Sequence, residues 1–245
     1  MISPTILLIE LRRMVRNRRT LIFTVVMPPV FFEIFGVGNS QAHDRAGSGN
    51  VIAYVLVSMA VYGAMLASTS AGASVSLERS AGWSRQLRLT PLKPSAYIAT
   101  KLAVALAMSA IAVAVVYAVG STSEAAMPSS AWISTALLAW ACSLVFAAFG
   151  LFMGYLLPSE NVMQVLGPVL ALLSFAGGLF IPLDQLSSGF RAIAKLTPVY
   201  GVGELARNPL THDGRLLSAL VNVVVWTAIF SVGAAVRFRR DTARV

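Results

Sequence analysis

The chain has 245 residues, of which 57% are hydrophobic and only 12% charged, with a formal net charge of +9. A soluble domain carries about 25% charged residues, so this composition excludes an ordinary water-soluble globule and points to lipid as the solvent of the folded state. The positive charge lies in blocks around apolar runs, with no aromatic–basic platform or recognition helix, which excludes a nucleic-acid binder. The single cysteine, Cys142, sits in an apolar run and excludes an internal disulfide, while His43 and His212 stand alone in separate loops without metal-ligand spacing.

Several apolar runs reach the length of about 20 residues that a spanning helix requires, and they lack the short alternating strands of a barrel. The expectation is an all-α membrane protein with six transmembrane helices, at about 20–38, 51–77, 99–119, 131–157, 162–182 and 216–236, forming one domain over 1–245. Ahead of the first span, "TILLIELRRMVRNRRT" places Leu7, Leu8, Leu11, Met14 and Val15 at helical spacing, with Glu10, Arg13, Arg16 and Asn17 on another face. That pattern predicts an amphipathic helix in the membrane interface, anchored on anionic lipid or presenting its polar face to a cytoplasmic partner. No small-residue cleavage site follows it, so a secretory signal peptide is not expected.

The first span contains Pro28, Pro29 and Glu33. The prolines free backbone carbonyls and bend the helix, either as a hinge or to fit its packing. Glu33 is the one carboxylate well inside a predicted span; it lines a path for a cationic solute, or it is satisfied near the outer interface. After the second span comes a basic island, "LERSAGWSRQLRLTPLKPSAYIATK" (77–101). Pro91 ends any helix formed by 83–90, and such a helix places Trp83 and Leu87 one turn apart among basic residues; an ordinary charged loop is the alternative. "LLPSENVM" (156–163) reads as a tight turn in which Pro158 stops the fourth helix and Ser159 caps the next. Gly36, Gly38, Gly177 and Gly178 read as close helix contacts or bends.

Fourteen of the 19 Lys and Arg residues lie at the N-terminus, in the island and in the tail after 236. By the positive-inside rule these segments and both termini are cytoplasmic. Ala- and Val-rich composition with Arg far above Lys suggests a GC-rich bacterial genome, hence a bacterial plasma membrane.

Two stretches carry a family resemblance. The island, with an acidic residue and a glycine before "LRLTPL", and "FAGGLFIPLDQLSSGFRAIAKLTPVYGVGELAR" (175–207) resemble the permease subunits of type-2 ABC exporters, such as the multidrug and daunorubicin-resistance-like permeases. The second stretch is similar to that family's signature in Gly177, Gly178, Phe180, Pro182, Pro198, Tyr200 and Arg207. The resemblance implies a homodimer or heterodimer of permease chains, each with a separate cytoplasmic ATP-binding subunit, and export of an amphipathic drug, lipid or lipid-linked molecule. It makes 78–92 the cytoplasmic coupling helix, with Glu78, Arg79, Gly82, Trp83, Arg85, Leu87, Arg88 and Pro91 as contacts to the ATPase. It makes 4–19 a connecting helix beside it and 183–215 a set of short extracytoplasmic interfacial helices. ATP and Mg belong to the partner, because the chain has no GxxxxGK[ST] loop and no cofactor site of its own. The alternative is a non-transporting membrane anchor or assembly protein for a cytoplasmic factor.

Overall fold

The computed structural model describes residues 4–38, 40–82 and 94–243. Helix α1 (Pro4–Arg16) runs along the end of the bundle, and α2 (Arg18–Leu21) follows at once. The spacing of the apolar residues dictates how α1 lies. Met14 is buried with Leu7 and Leu11 against Ala67, Ala71, Val104 and Met108, while Ile9, Arg12, Arg13 and Arg16 project from the other side.

The chain then enters an apolar helix, Ile22–Val37, in which α3 (Met27–Phe32) is bracketed by two wide π turns, Ile22–Val26 and Glu33–Val37. Pro28 and Pro29 have no N–H to donate, and a π turn is a common way for a helix to accommodate such an interruption. A two-residue hairpin, β1 (Arg45–Ala46) with β2 (Gly49–Asn50), pairs Arg45 with Asn50 and Ala46 with Gly49. Asn50 then caps α4 (Val51–Ala73): its Oδ1 accepts from Ala53 N at 3.0 Å. The same side chain bonds the 120–128 turn, donating to Glu124 O and accepting from Ala126 N.

Helix α4 is the hub, and α5 (Val75–Ser80) prolongs it. Around it pack α6 (Pro94–Gly120), α7 (Ser129–Cys142), α8 (Leu144–Leu156), α9 (Ser159–Ala176) and α11 (Pro198–Thr211), with the short α10 (Ser188–Ala194) at one end. The last helix, α12 (Leu216–Ala243), packs on α8 and α11 and leaves Leu217, Val221, Val224 and Val232 exposed, the pattern of a helix facing lipid. The α4–α8 seam is very close: a Cβ added to Gly72 would lie 2.6 Å from Ala147 O, and one on Gly150 would lie 2.3 Å from Thr69 O.

Among the described residues four helices, not the expected six, are long and apolar enough to cross a membrane: Val51–Ser80, Ala96–Gly120, Ser129–Leu156 and Leu216–Arg239. The stretches expected at 20–38 and 162–182 are shorter apolar helices, Ile22–Val37 and Gln164–Ala176. At 1.5 Å per residue these apolar portions extend only about 24 and 20 Å, against a hydrocarbon core of about 30 Å. The physical cause is local in both cases. Gly38 leaves helical geometry at φ −74°, ψ 1° and ends the first. The second is the apolar part of α9: it follows the polar first turn from Ser159 and stops at Gly177, just before Gly178 adopts φ +78°. Phe180 and Ile181 prolong the apolar run in sequence, but Phe180 is apolar because it belongs to an aromatic cluster, not because it continues a helix. Within 183–215 the short helix α11 buries Val199, Tyr200, Val202, Ala206 and Leu210 in the bundle.

Candidate functional site

At the end of the bundle where α1 lies, Glu78 is buried, only 5% exposed. Its carboxylate accepts from Tyr97 Oη and from Lys101 Nζ, and from Arg13 Nη1 at 3.0 Å. Lys101, itself 1% exposed, also donates to Glu10 at 2.9 Å. One carboxylate thus ties three elements together: α5, the first turns of α6, and α1. The knot satisfies the rule that a buried charge must be paired and hydrogen-bonded. Beside it, Arg79 donates to the carbonyls of Gly154 and Tyr155 at the end of α8, at 3.0 and 3.3 Å, and lies over the Tyr155 ring. Gly82 follows at φ +74°, with no atom of the described residues within 4 Å of where a Cβ would stand. Trp83, Arg85, Leu87, Arg88 and Pro91 lie outside the described residues.

At the opposite end a second charge is fully enclosed. Arg207, 2% exposed, donates to Ser58 Oγ and Gly178 O at 3.1 Å each and to Glu204 Oε1 at 3.2 Å. Its guanidinium also lies 4.8 Å from the centre of the Tyr54 ring, and Glu204 faces Arg215 at 3.8 Å. The other residues of the 175–207 stretch build this corner. Gly177 allows Val199 to approach to 2.5 Å of where a Cβ would stand, and Gly178 does the same for Leu183. Pro182 precedes a single 3₁₀ turn, Pro198 opens α11, Thr197 caps it by accepting from Tyr200 N, and Tyr200 is buried.

Between the two ends lie two hollows. One, of about 580 Å³, is lined by Thr20, Phe23, Met27, Tyr62, Leu66 and Leu170 among others, with Gly167 and Ser70 on its walls. The other, of about 410 Å³, is lined by Phe35, Tyr54, Phe180, Glu204, Asp213 and Arg215 among others. An aromatic cluster of Phe31, Phe35, Tyr62, Phe175 and Phe180 stands between them, with ring centres 4.6 to 6.1 Å apart. Pro28 and Pro29 are buried, and Pro28 packs on Gly63 of α4; Glu33 is exposed on the side of its helix away from the core.

Sequence reading singled out Glu78, Arg207 and Gly178 and set Glu10 and Arg13 on one face of α1, but it paired none of them. Lys101 counted only as one more positive charge, although it lies one turn after Tyr97 at the start of an apolar helix, where a lysine has to find a partner. Glu10, the one acid in a basic helix, was the corresponding signal. The α4–α8 seam was missed too, although "GLFMG" (150–154) has the small-xxx-small spacing of close helix contacts.

Four helices long and apolar enough to cross a membrane, packed around α4 with a buried ion pair toward each end, define a multi-pass helical membrane domain. The sequence profile of the ABC-2 type transporter family matches residues 5–211, and the chain belongs to that family. It is similar to a protein of Bacillus subtilis (strain 168) named "Putative transport permease YvfS", with 25% identity over 197 residues covering 79% of each chain. The chain is a transport permease subunit, not an enzyme.

Proposed function

We propose that the chain is the permease subunit of an ATP-driven exporter in a bacterial plasma membrane, with both termini cytoplasmic. It pairs with a second permease chain, identical or different, and with a cytoplasmic subunit that binds ATP and Mg. The cargo is an amphipathic drug, lipid or lipid-linked molecule.

The observation that carries this reading is the rod formed by α4 and α5. Val51–Ser80 runs from the Arg207 corner, through Ser58 and Tyr54, past the walls of both hollows, to Glu78 at the base of the basic island. Packed helices move as rigid bodies between discrete arrangements, so a push on the island is felt at both hollows. In this reading Trp83, Arg85, Leu87, Arg88 and Pro91 present the island to the ATPase, Gly82 lets it turn, and Glu78 and Arg79 fasten its base. Solute moves from the larger hollow past Phe31, Tyr62 and Phe180 to the polar one, with Pro28 and Pro29 as the yielding point. Glu33 then faces either the cargo or the second permease chain, since a carboxylate on an apolar helix needs a cation or water.

The test is co-purification of the tagged chain from its host in mild detergent, with ATPase activity assayed in wild type and in Trp83→Ala/Arg88→Ala. A P-loop ATPase at stoichiometric amount, lost from the variant while the variant's thermal midpoint is unchanged, is the expected result. Wild-type material that carries no ATPase in several mild detergents overturns the proposal.

A further inference from the structure

The outward stripe of α1 has no role in the transport reading. Ile9, Arg12, Arg13 and Arg16 recur at i, i+3, i+4 and i+7, so they form one face, and with Asn17 they frame an open hollow of about 600 Å³. Among the described residues no acid lines it, because Glu10, the one carboxylate of α1, is turned inward onto Lys101. Arg12 and Arg16 are exposed and have no ion pair among the described residues. Arg13 is half-exposed and already held from behind by Glu78. Of the five N–H groups of a guanidinium, that bond uses one, and the remainder are available to a second anion.

We propose that this face is a binding site for the phosphate headgroup of an anionic phospholipid, with Arg13 shared between that phosphate and Glu78. Phosphate is favoured because planar guanidinium groups bind its oxygens two at a time, and three on one face match a compact multivalent anion. Lipid is favoured over a soluble source by what surrounds the arginines. Leu8, Ile9 and Val15 are exposed beside them, at 51, 59 and 48%, and the apolar helix starting at Ile22 exposes Ile22 and Phe23 one short helix further on. This places the arginines where a bilayer keeps its phosphates, with apolar side chains below them for the acyl chains. Occupancy neutralises the crowded arginines and steadies Arg13 on Glu78, so lipid charge bears on the knot at the base of the island. The inference rests on α1 lying at the membrane surface and does not require the exporter reading.

The experiment uses the full chain in nanodiscs of phosphatidylcholine with and without phosphatidylglycerol. Lipid retained by the released protein is counted by native mass spectrometry, and the thermal midpoint is read in parallel. Wild type is expected to retain phosphatidylglycerol preferentially and to unfold at a higher temperature when it is present. At about 1 kcal/mol per surface arginine, Arg12→Gln/Arg16→Gln should lose roughly thirtyfold of that preference. The double variant is required to match wild type in pure phosphatidylcholine, which shows that it is folded. Equal preference in both proteins overturns the site. The lipid assignment is also overturned if inorganic phosphate gives the same stabilisation, which indicates a soluble anion, or if the variant keeps its lipid but loses a co-purifying protein, which indicates a protein surface. Failure to find an ATPase partner leaves all these readouts intact, so the two proposals fail separately.

Discussion

Arg207 is the largest fully buried side chain among the described residues, and its charge is paid for by three hydrogen bonds and the face of Tyr54. Removing one partner of a buried pair costs about 3 kcal/mol or more, since the group left behind keeps its desolvation penalty. Arg207→Met strands Glu204, which is 11% exposed and otherwise faces only the more distant Arg215. Its thermal midpoint in detergent should fall by several degrees. Ser58→Ala removes one neutral acceptor from the same guanidinium, and its cost should be smaller, about 2 kcal/mol. Equal midpoints for Arg207→Met and wild type contradict a stabilising role for the corner. Arg207 was legible in the sequence as part of a family-like stretch. That it reaches Ser58, 149 residues away, was not, because side-chain pairing across helices follows from how the helices are placed.

At the scale of elements, α4 and α8 depend on the absence of side chains. Backbone atoms of Ala147 and Leu151 leave no room for a Cβ on Gly72, and those of Thr69 leave none on Gly150. Close backbone approach lets dispersion replace a hydrophobic force that is missing between helices in lipid. Gly150→Val should therefore separate the pair and sharply reduce the yield of monodisperse protein on size-exclusion chromatography, whereas Gly167→Ala, with nothing among the described residues within 4 Å, should leave it unchanged. A Gly150→Val protein as monodisperse as wild type would refute the seam. The long apolar α4, α6 and α12 and the existence of α1 were readable from run length and periodicity, but α1 turns Glu10 inward and leaves Leu8 and Val15 exposed, because the helices packed against it decide which side is covered. The two short apolar helices were misjudged because a run of apolar letters does not reveal where a backbone stops being helical. Gly38, the polar turn at Ser159 and Gly178 set those ends.

On the scale of the whole molecule, the contacts sort the chain into two poles. Glu10 and Arg13 of α1, Glu78, Lys101, Tyr155 and Phe238 of α12 gather at one, with Tyr155 and Phe238 rings 5.6 Å apart. The hairpin, the 120–128 turn and α11 gather at the other, where Ser48 N and Oγ both bond Leu210 O. Both chain ends therefore lead to one pole. Protease-cleavable tags at the N- and C-termini should be cut from the same face of sealed, oriented vesicles, and cutting from opposite faces would contradict this arrangement. The sequence alone determined the helical membrane class and the family resemblance. Those depend on composition, on periodicity and on short strings of residues, all of which are local. Tertiary structure alone decided how many helices are long enough to span, which charges are buried and paired, and that Arg13, Glu78 and Lys101 meet. Each of these turns on where a helix ends or on which face it offers its neighbour, and those are set by packing between segments far apart in the chain.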